Sequence, residues 1–200
     1  NKYINSRNKN LNLLLTASLD SSAIYAVYDK EFLKKNNIFF QSGIHEDILF
    51  MFKVFFYLKK KYFISEYIYI KNNYKKSIIN TISKKRIIDY FKAYLSITRF
   101  ITKNTNINNQ KNFQSKIYKG QSGYCYEMLI FVFLNISNKN SAMYFLNIIY
   151  TYTNKLFKVD KMPKKTYKDK VVNLFFKNYH KIGDSIKYNK FKQKILNIEK

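Results

Sequence analysis

The feature that most constrains the fold is an apolar run at residues 48–58, which only Lys53 interrupts. A helix over residues 46–60 would be apolar on nearly every face, so we expect this helix to be buried on all sides. Such a helix needs other elements packed around it. A chain of 200 residues is long enough to provide them, as one domain with a sizeable core or as one domain with an appendage.

The apolar run begins at Glu46 and Asp47, the single place in the sequence where two acidic residues are adjacent. They follow a turn at residues 41–43 and a short apolar segment at residues 38–40. Carboxylates at a strand-to-helix junction have free helix N–H groups nearby and can face a cleft, which suits acid–base chemistry. Acids in a first helical turn also complement the helix dipole without any catalytic role. Taken alone, the pair leaves both interpretations open.

Segments in and around this region carry a resemblance to a known family. They are residues 24–40 (IYAVYDKEFLKKNNIFF), 43–50 (GIHEDILF), 62–71 (YFISEYIYIK) and 75–78 (KKSI). The first is similar to a tyrosine, charged-residue and Phe-Leu segment that precedes an extended strand, and the second to a Glu-Asp motif with its following helix. The third and fourth are similar to a closing Tyr-x-Tyr strand and a Ser-Ile turn. In this order and spacing, residues 23–78 resemble family-two glycosyltransferases of the GT-A fold.

The resemblance implies an inverting, hexosyltransferase-like enzyme. It would transfer a sugar from a nucleotide-sugar donor to a surface polysaccharide or a lipid-linked glycan, as in capsule or polysaccharide biosynthesis. Asp47 would be the catalytic base that takes the proton of the acceptor hydroxyl, and Glu46 would orient it or contact the acceptor. His45, Lys71 and Ser77 would contact substrate. A lone histidine at a turn, such as His45, also suits a purely structural role.

The same resemblance implies a divalent metal, Mn²⁺ or Mg²⁺, on the donor diphosphate, held mainly by an Asp-x-Asp element. This sequence contains no Asp-x-Asp. We therefore expect the chain to hold the acceptor-side half of the domain, to lack the main metal ligands, and to be inactive by itself. No metal-ligating residue is predicted within it.

The predicted fold class is α+β, with a small sheet and helices as a partial GT-A domain at residues 1–80. A mainly α-helical extension is predicted at residues 81–200. Strands are expected at residues 23–28, 38–40 and 62–71, and a loop at the Asn-rich residues 102–115. Residues 1–12 are expected to be a poorly ordered lead-in. Helices are expected at residues 30–35, 46–60, 83–101, 124–134, 142–157, 167–179 and 188–198.

The formal net charge is +25, and of the 37 basic residues only Arg7, Arg86 and Arg99 are arginines. Lysine is the poorer residue for bidentate phosphate or base recognition, and no nucleic-acid-binding motif is present. The charge therefore predicts an anionic membrane surface as a partner and no nucleic acid.

No stretch has the length and hydropathy of a transmembrane helix, and the N-terminus does not resemble a signal peptide. We expect a cytoplasmic protein, peripheral to the inner face of the membrane. The alternative function is a non-catalytic basic helical module that docks on a membrane or a protein partner. The single cysteine, Cys125, excludes an intramolecular disulfide and is expected to be a buried packing residue.

Overall fold

The computed structural model describes residues 7–19, 21–62, 66, 69–70, 72, 81–156, 166–182 and 185–198. These residues are 76% helical and contain no strand, so the predicted α+β fold with a sheet is wrong. The helices of the described residues are α1 (Arg7–Leu15), α2 (Lys30–Lys35), α3 (Glu46–Tyr57), α4 (Lys84–Asn104), α5 (Ile107–Asn135), α6 (Lys139–Leu156), α7 (Tyr167–Asn178) and α8 (Ser185–Ile198).

The predicted strand at residues 23–28 is instead a 3-10 turn at Ala23–Tyr25 followed by extended backbone. The hydroxyl of Tyr28 donates to the carbonyl oxygen of Ala23 at 2.9 Å. This hydrogen bond joins the two ends of the segment at residues 23–28. Its apolar and aromatic composition suggested a strand, but composition does not distinguish a strand from a short turn of this kind.

The predicted strand at residues 38–40 is the exit from helix α2. Asn37 has a left-handed backbone with φ of 52°. The N–H of Asn37 donates to Lys34 and that of Ile38 donates to Leu33. This is the Schellman arrangement, in which an apolar residue after the left-handed position packs back onto the helix. Ile38 is accordingly buried, while Phe39 and Phe40 are exposed.

The predicted strand at residues 62–71 falls largely outside the described residues. Those of its residues that the structure does describe, namely Tyr62, Glu66, Tyr69 and Ile70, belong to no helix or strand. Lys71 lies outside the described residues.

The helix predictions agree with the structure better than the strand predictions do. Helix α2 has the predicted bounds, and α3 begins at the predicted Glu46. The loop expected at residues 102–115 is wrong, because α4 runs to Asn104 and α5 begins at Ile107. The polar residues there cap helices: Asn104 Nδ2 donates to the Phe100 carbonyl at 2.8 Å, and Asn106 Oδ1 accepts the Asn109 N–H at 3.0 Å. The lead-in expected at residues 1–12 is helical from Arg7.

The chain divides into two compact units, residues 1–113 and residues 114–200, and the division falls within α5. The boundary predicted at residue 80 separates a glycosyltransferase-like part from an extension. The division into compact units does not test that assignment, which stays a prediction.

Helix α3 is the centre of the first unit. It packs against α1, α4 and the 3-10 turn at Ala23–Tyr25, which explains why apolar residues occur on nearly every face of it. Helix α1 contributes a stripe at helical spacing, Leu11, Leu14 and Leu15, all buried. The hydroxyl of Tyr94 on α4 donates to the Leu14 carbonyl oxygen at 3.4 Å, so α1 and α4 also contact each other.

The second unit contains the later part of α5 together with α6, α7 and α8. Its buried apolar residues come from all four helices and include Leu129, Phe133, Leu146, Ile149, Val171, Phe175, Phe191 and Ile195. A capping box begins α7, in which Thr166 Oγ1 accepts the Asp169 N–H and Asp169 accepts the Thr166 N–H. In α8, Tyr188, Phe191 and Ile195 are buried while Lys187, Lys190 and Lys194 are exposed.

Candidate active site at the start of helix α3

Glu46 and Asp47 form the first turn of α3, where backbone N–H groups have no intrahelical partner and a negative charge is favoured. Glu46 is exposed and Asp47 is half-buried. The next residues, Ile48–Phe52 in sequence, are all buried, so the pair is attached to a helix that is packed into the core of the first unit. The core thus holds the backbone of the pair in place, with Glu46 exposed and Asp47 partly exposed.

The turn that leads into the pair has an unusual backbone. Gly43 has φ of 125° and His45 has φ of 66°, both in the region that favours glycine. The Ile44 N–H between them donates to Oδ2 of Asp89 on α4 at 3.0 Å. Lys85, one helical turn before Asp89, donates to the same oxygen. The approach to α3 is therefore held by a carboxylate that lies 45 residues away in sequence.

A side chain at Gly43 would collide with this contact. A Cβ built there would lie 2.9 Å from Asp89 Oδ2 and 3.4 Å from its Cγ. Burial by itself would raise the pKa of Asp89. The hydrogen bonds from Lys85 and from the Ile44 N–H, together with the charges of Lys85 and Lys92, lower the pKa below its usual value. Asp89 is thus stabilised as an anion against the turn.

The ring of His45 packs edge-on against Tyr90 of α4, with the ring centroids 5.2 Å apart. Burial, followed by the charge of Arg86, lowers the pKa of His45 from 6.5 to about 4, although Asp89 and a hydrogen bond with the Arg86 backbone act in the opposite direction. The imidazole is therefore neutral at neutral pH. A neutral, half-buried ring fits a packing role better than electrostatic binding of a phosphate.

Tyr28 lies close enough to Asp47 to feel its charge. Burial, followed by the charge of Asp47, raises the pKa of Tyr28 to about 12. The Tyr28 ring packs edge-on against Phe50, with centroids 5.2 Å apart, and Phe40 stacks on the same phenylalanine at 4.2 Å. The Asp47 carboxylate thus has a protonated phenol nearby, and the exposed Phe40 packs against the same phenylalanine as that phenol does.

The structure brings together three of the five predicted site residues. Glu46, Asp47 and His45 are consecutive at the start of α3, and Lys71 and Ser77 lie outside the described residues. Sequence reasoning did not identify Asp89. A signal was present, because acidic residues are scarce in this chain and Asp89 follows Lys85 by one helical turn on a helix with a clear apolar face.

Among the described residues, no group of three or more His, Cys, Asp or Glu side chains is arranged to hold a metal ion. The described residues therefore do not fit the divalent metal implied by the resemblance. None of the described helices combines the length and the hydropathy needed to cross a bilayer.

Cys125 and His180 lie in the second unit. Cys125 is buried as expected, and burial raises the pKa of its thiol to about 12 although the hydrogen bond with Thr153 lowers it. His180 Nε2 lies 2.8 Å from the hydroxyl of Tyr150. These contacts account for both residues structurally.

No protein-family model, curated protein or solved structure matches this chain. The resemblance to glycosyltransferases thus depends on the four sequence segments and on what the start of α3 can do chemically.

Proposed function

We propose that this chain carries the acceptor side of an inverting glycosyltransferase, with Asp47 as its general base. The observation that carries the proposal is the position of the acidic pair. A half-buried carboxylate and an exposed one stand together in the first turn of a helix that is otherwise buried. A base of this kind is attached to the protein core by its helix and lies partly at the surface, where a substrate can approach it.

The reaction that this arrangement suits is a direct displacement. The acceptor hydroxyl attacks the anomeric carbon of the donor sugar, Asp47 accepts the hydroxyl proton, and the nucleoside diphosphate leaves with the electron pair of the broken C–O bond. The helix N-terminus favours the negative charge of Asp47 before the transfer. Glu46, one residue earlier and exposed, is placed to accept a hydrogen bond from another hydroxyl of the acceptor.

The neighbouring titratable side chains support Asp47 over other candidate bases. Tyr28 keeps its proton at neutral pH because its pKa is raised to about 12. Asp89 is engaged by Ile44 and Lys85. His45 is neutral at pH 7, but its ring packs against Tyr90 in the turn. Asp47 is partly exposed and lies beside the exposed Glu46 at the start of α3.

For location, we propose that the protein works at the inner, anionic face of a membrane, where lipid-linked acceptors are held. The support is the formal charge of +25 and the exposed Lys187, Lys190 and Lys194 of α8, a helix in which Tyr188, Phe191 and Ile195 are buried. Each basic residue near an anionic surface contributes roughly 1 kcal/mol of attraction.

A second function, a non-catalytic basic helical module, is favoured by a specific observation. The described residues form helices without a sheet, and a docking module of this kind needs no sheet. In that case Glu46 and Asp47 would serve only to complement the dipole of α3.

The experiment that separates these functions is a transfer assay on the full-length protein with a panel of nucleotide-sugars and lipid-linked acceptors. Asp47→Asn should lower transfer by about 10²- to 10⁴-fold while leaving donor binding nearly unchanged. Glu127→Gln removes the same charge at an exposed position of the second unit and should have no effect. Transfer by the Asn variant within a few-fold of wild type would exclude Asp47 as the base. Absence of transfer by the wild type, with membrane binding retained, would support the docking module.

A further inference from the structure

We propose that Asp89 is a positioning residue. It fixes the turn at residues 43–45 and thereby sets the orientation of the Glu46 and Asp47 side chains at the start of α3. In the structural step Asp89 fixes the turn, and in the rate step the fixed turn positions Asp47 for catalysis. The rate step rests on the proposed glycosyltransferase function. The structural step does not.

The first argument is the hydrogen bonding of the turn. Asp89 Oδ2 accepts the Ile44 N–H at 3.0 Å and also accepts a hydrogen bond from Lys85. A charged acceptor makes a stronger hydrogen bond than a neutral one, and Lys85 fixes the position of that acceptor. The middle residue of the turn is therefore attached to α4 by its backbone, whatever side chain it carries.

The second argument is the backbone of the residues on either side. Gly43 and His45 both have positive φ, with values of 125° and 66°. A non-glycine residue adopts such a conformation only when its surroundings require it. Asp89 occupies the space that a Cβ of Gly43 would need, and the His45 ring packs against Tyr90, the residue after Asp89. One stretch of α4 thus contacts all three residues of the turn.

The third argument concerns what the turn controls. Glu46 and Asp47 directly follow His45, and α3 has no side-chain cap at its start. The carbonyl of His45 accepts the Ile48 N–H at 3.3 Å, so the conformation of the turn and the first turn of the helix are coupled. If the turn relaxed, the carboxylates would shift relative to the buried body of α3. A displacement of about 1 Å can cost a catalytic group on the order of 10²-fold in rate.

The structural step is tested by amide hydrogen exchange and carboxyl NMR on the 200-residue chain. In Asp89→Ala the Ile44 amide should exchange at least about tenfold faster, and the carboxyl resonances of Glu46 and Asp47 should shift. Asp89→Asn should restore much of the protection because an amide oxygen still accepts the Ile44 N–H. Glu127→Gln, with the same change of charge as Asp89→Asn, should leave these signals at their wild-type values.

Gly43→Ala supplies a second route to the same disturbance, because it introduces the Cβ that Asp89 excludes. It should accelerate exchange at Ile44 and move the same carboxyl resonances while Asp89 itself is intact. Unchanged Ile44 exchange in Asp89→Ala would overturn the proposal. Unchanged Glu46 and Asp47 signals would overturn it as well.

The rate step is tested in the full-length protein. Asp89→Ala should lower kcat by about tenfold or more with the acceptor KM nearly unchanged, and Asp89→Asn should recover most of the loss. A wild-type kcat in an Asp89→Ala protein whose turn is loosened would overturn the positioning role. If instead Asp47→Asn retains full transfer, the proposed function fails, and the exchange measurements still decide whether Asp89 fixes the turn.

Discussion

The hydroxyl of Ser122 on α5 donates a 2.6 Å hydrogen bond to Oδ1 of Asp169 on α7, and both side chains are buried. The other carboxylate oxygen, Oδ2, accepts the Thr166 N–H at 2.9 Å. Each oxygen of this buried acid therefore has a donor. One donor belongs to the local capping box and the other comes from a different helix of the second unit.

Ser122→Ala should destabilise the protein by about 1–3 kcal/mol, because it leaves one oxygen of a buried carboxylate without its donor. Urea unfolding followed by circular dichroism measures the change. Ser141→Ala is the matched control, since Ser141 is also helical but exposed, and its effect should stay within about 0.5 kcal/mol. An equal, small effect of both substitutions would mean that the contact contributes little to stability.

Stability should fall as the pH decreases from about 6.5 to about 4, because His45 has a pKa of about 4 in the folded chain and an ordinary value of 6.5 when unfolded. Over this range the unfolded chain binds a proton that the folded chain does not. The loss from this group should amount to about 3 kcal/mol.

His45→Asn isolates this contribution, since asparagine tolerates a left-handed backbone and does not titrate. Free energies of unfolding measured in urea across the same pH range should depend less on pH in the variant than in the wild type. Parallel curves for the two proteins would show that His45 titrates normally in the folded state.

Cys125 should not react with a water-soluble disulfide reagent in the native protein. Its thiol is completely buried and has a pKa of about 12, so almost no thiolate is accessible at about pH 8. Labelling should proceed at the rate of unfolding and become complete in concentrated urea. Rapid labelling without denaturant would contradict the packing of α5 described above, and a Cys125→Ala protein sets the background.

The protein should sediment with anionic vesicles at low salt, should not sediment with neutral vesicles, and should be released by about 0.5 M salt. Because the apolar face of α8 is buried, the attraction should be Coulombic. Replacing Lys187, Lys190 and Lys194 by glutamine should weaken binding more than the same change at Lys30, Lys35 and Lys60, which are exposed in the first unit.

Two results of that experiment would contradict a membrane partner. One is the absence of binding to anionic vesicles. The other is binding of duplex DNA or RNA that persists at about 0.5 M salt, where the vesicles are released, because a purely Coulombic attraction to nucleic acid would be lost there as well.

The sequence predicted the helices of this protein better than its fold class, for a physical reason. The long apolar run after Asp47 and the spacing of Ile87, Phe91 and Tyr94 are local signals of helices, and α3 and α4 follow them. The three residues 38–40 are too few to show a period, so their sequence does not distinguish a buried strand from the end of a helix. The decisive contact there, from the Ile38 N–H to Leu33, depends on a left-handed asparagine.

The candidate site likewise has one part that the sequence reveals and another part that depends on the packing of distant residues. Glu46 and Asp47 were visible as neighbours in sequence. Asp89 contacts the turn from 45 residues away, and only the packing of α4 on α3 brings it there. The sequence shows that Asp89 is an acid on an amphipathic helix, but it does not show which backbone N–H that acid accepts.

The central position of α3 has a consequence for how the first unit comes apart. Helices α1 and α4 each cover part of α3, and they also meet at Tyr94 and Leu14. Detachment of either outer helix would expose part of a helix whose buried residues are all apolar, namely Ile48, Leu49, Phe50, Met51, Phe52 and Val54. The three helices should therefore open as a single cooperative unit, with the slowest-exchanging amides of all three disappearing together rather than in sequence.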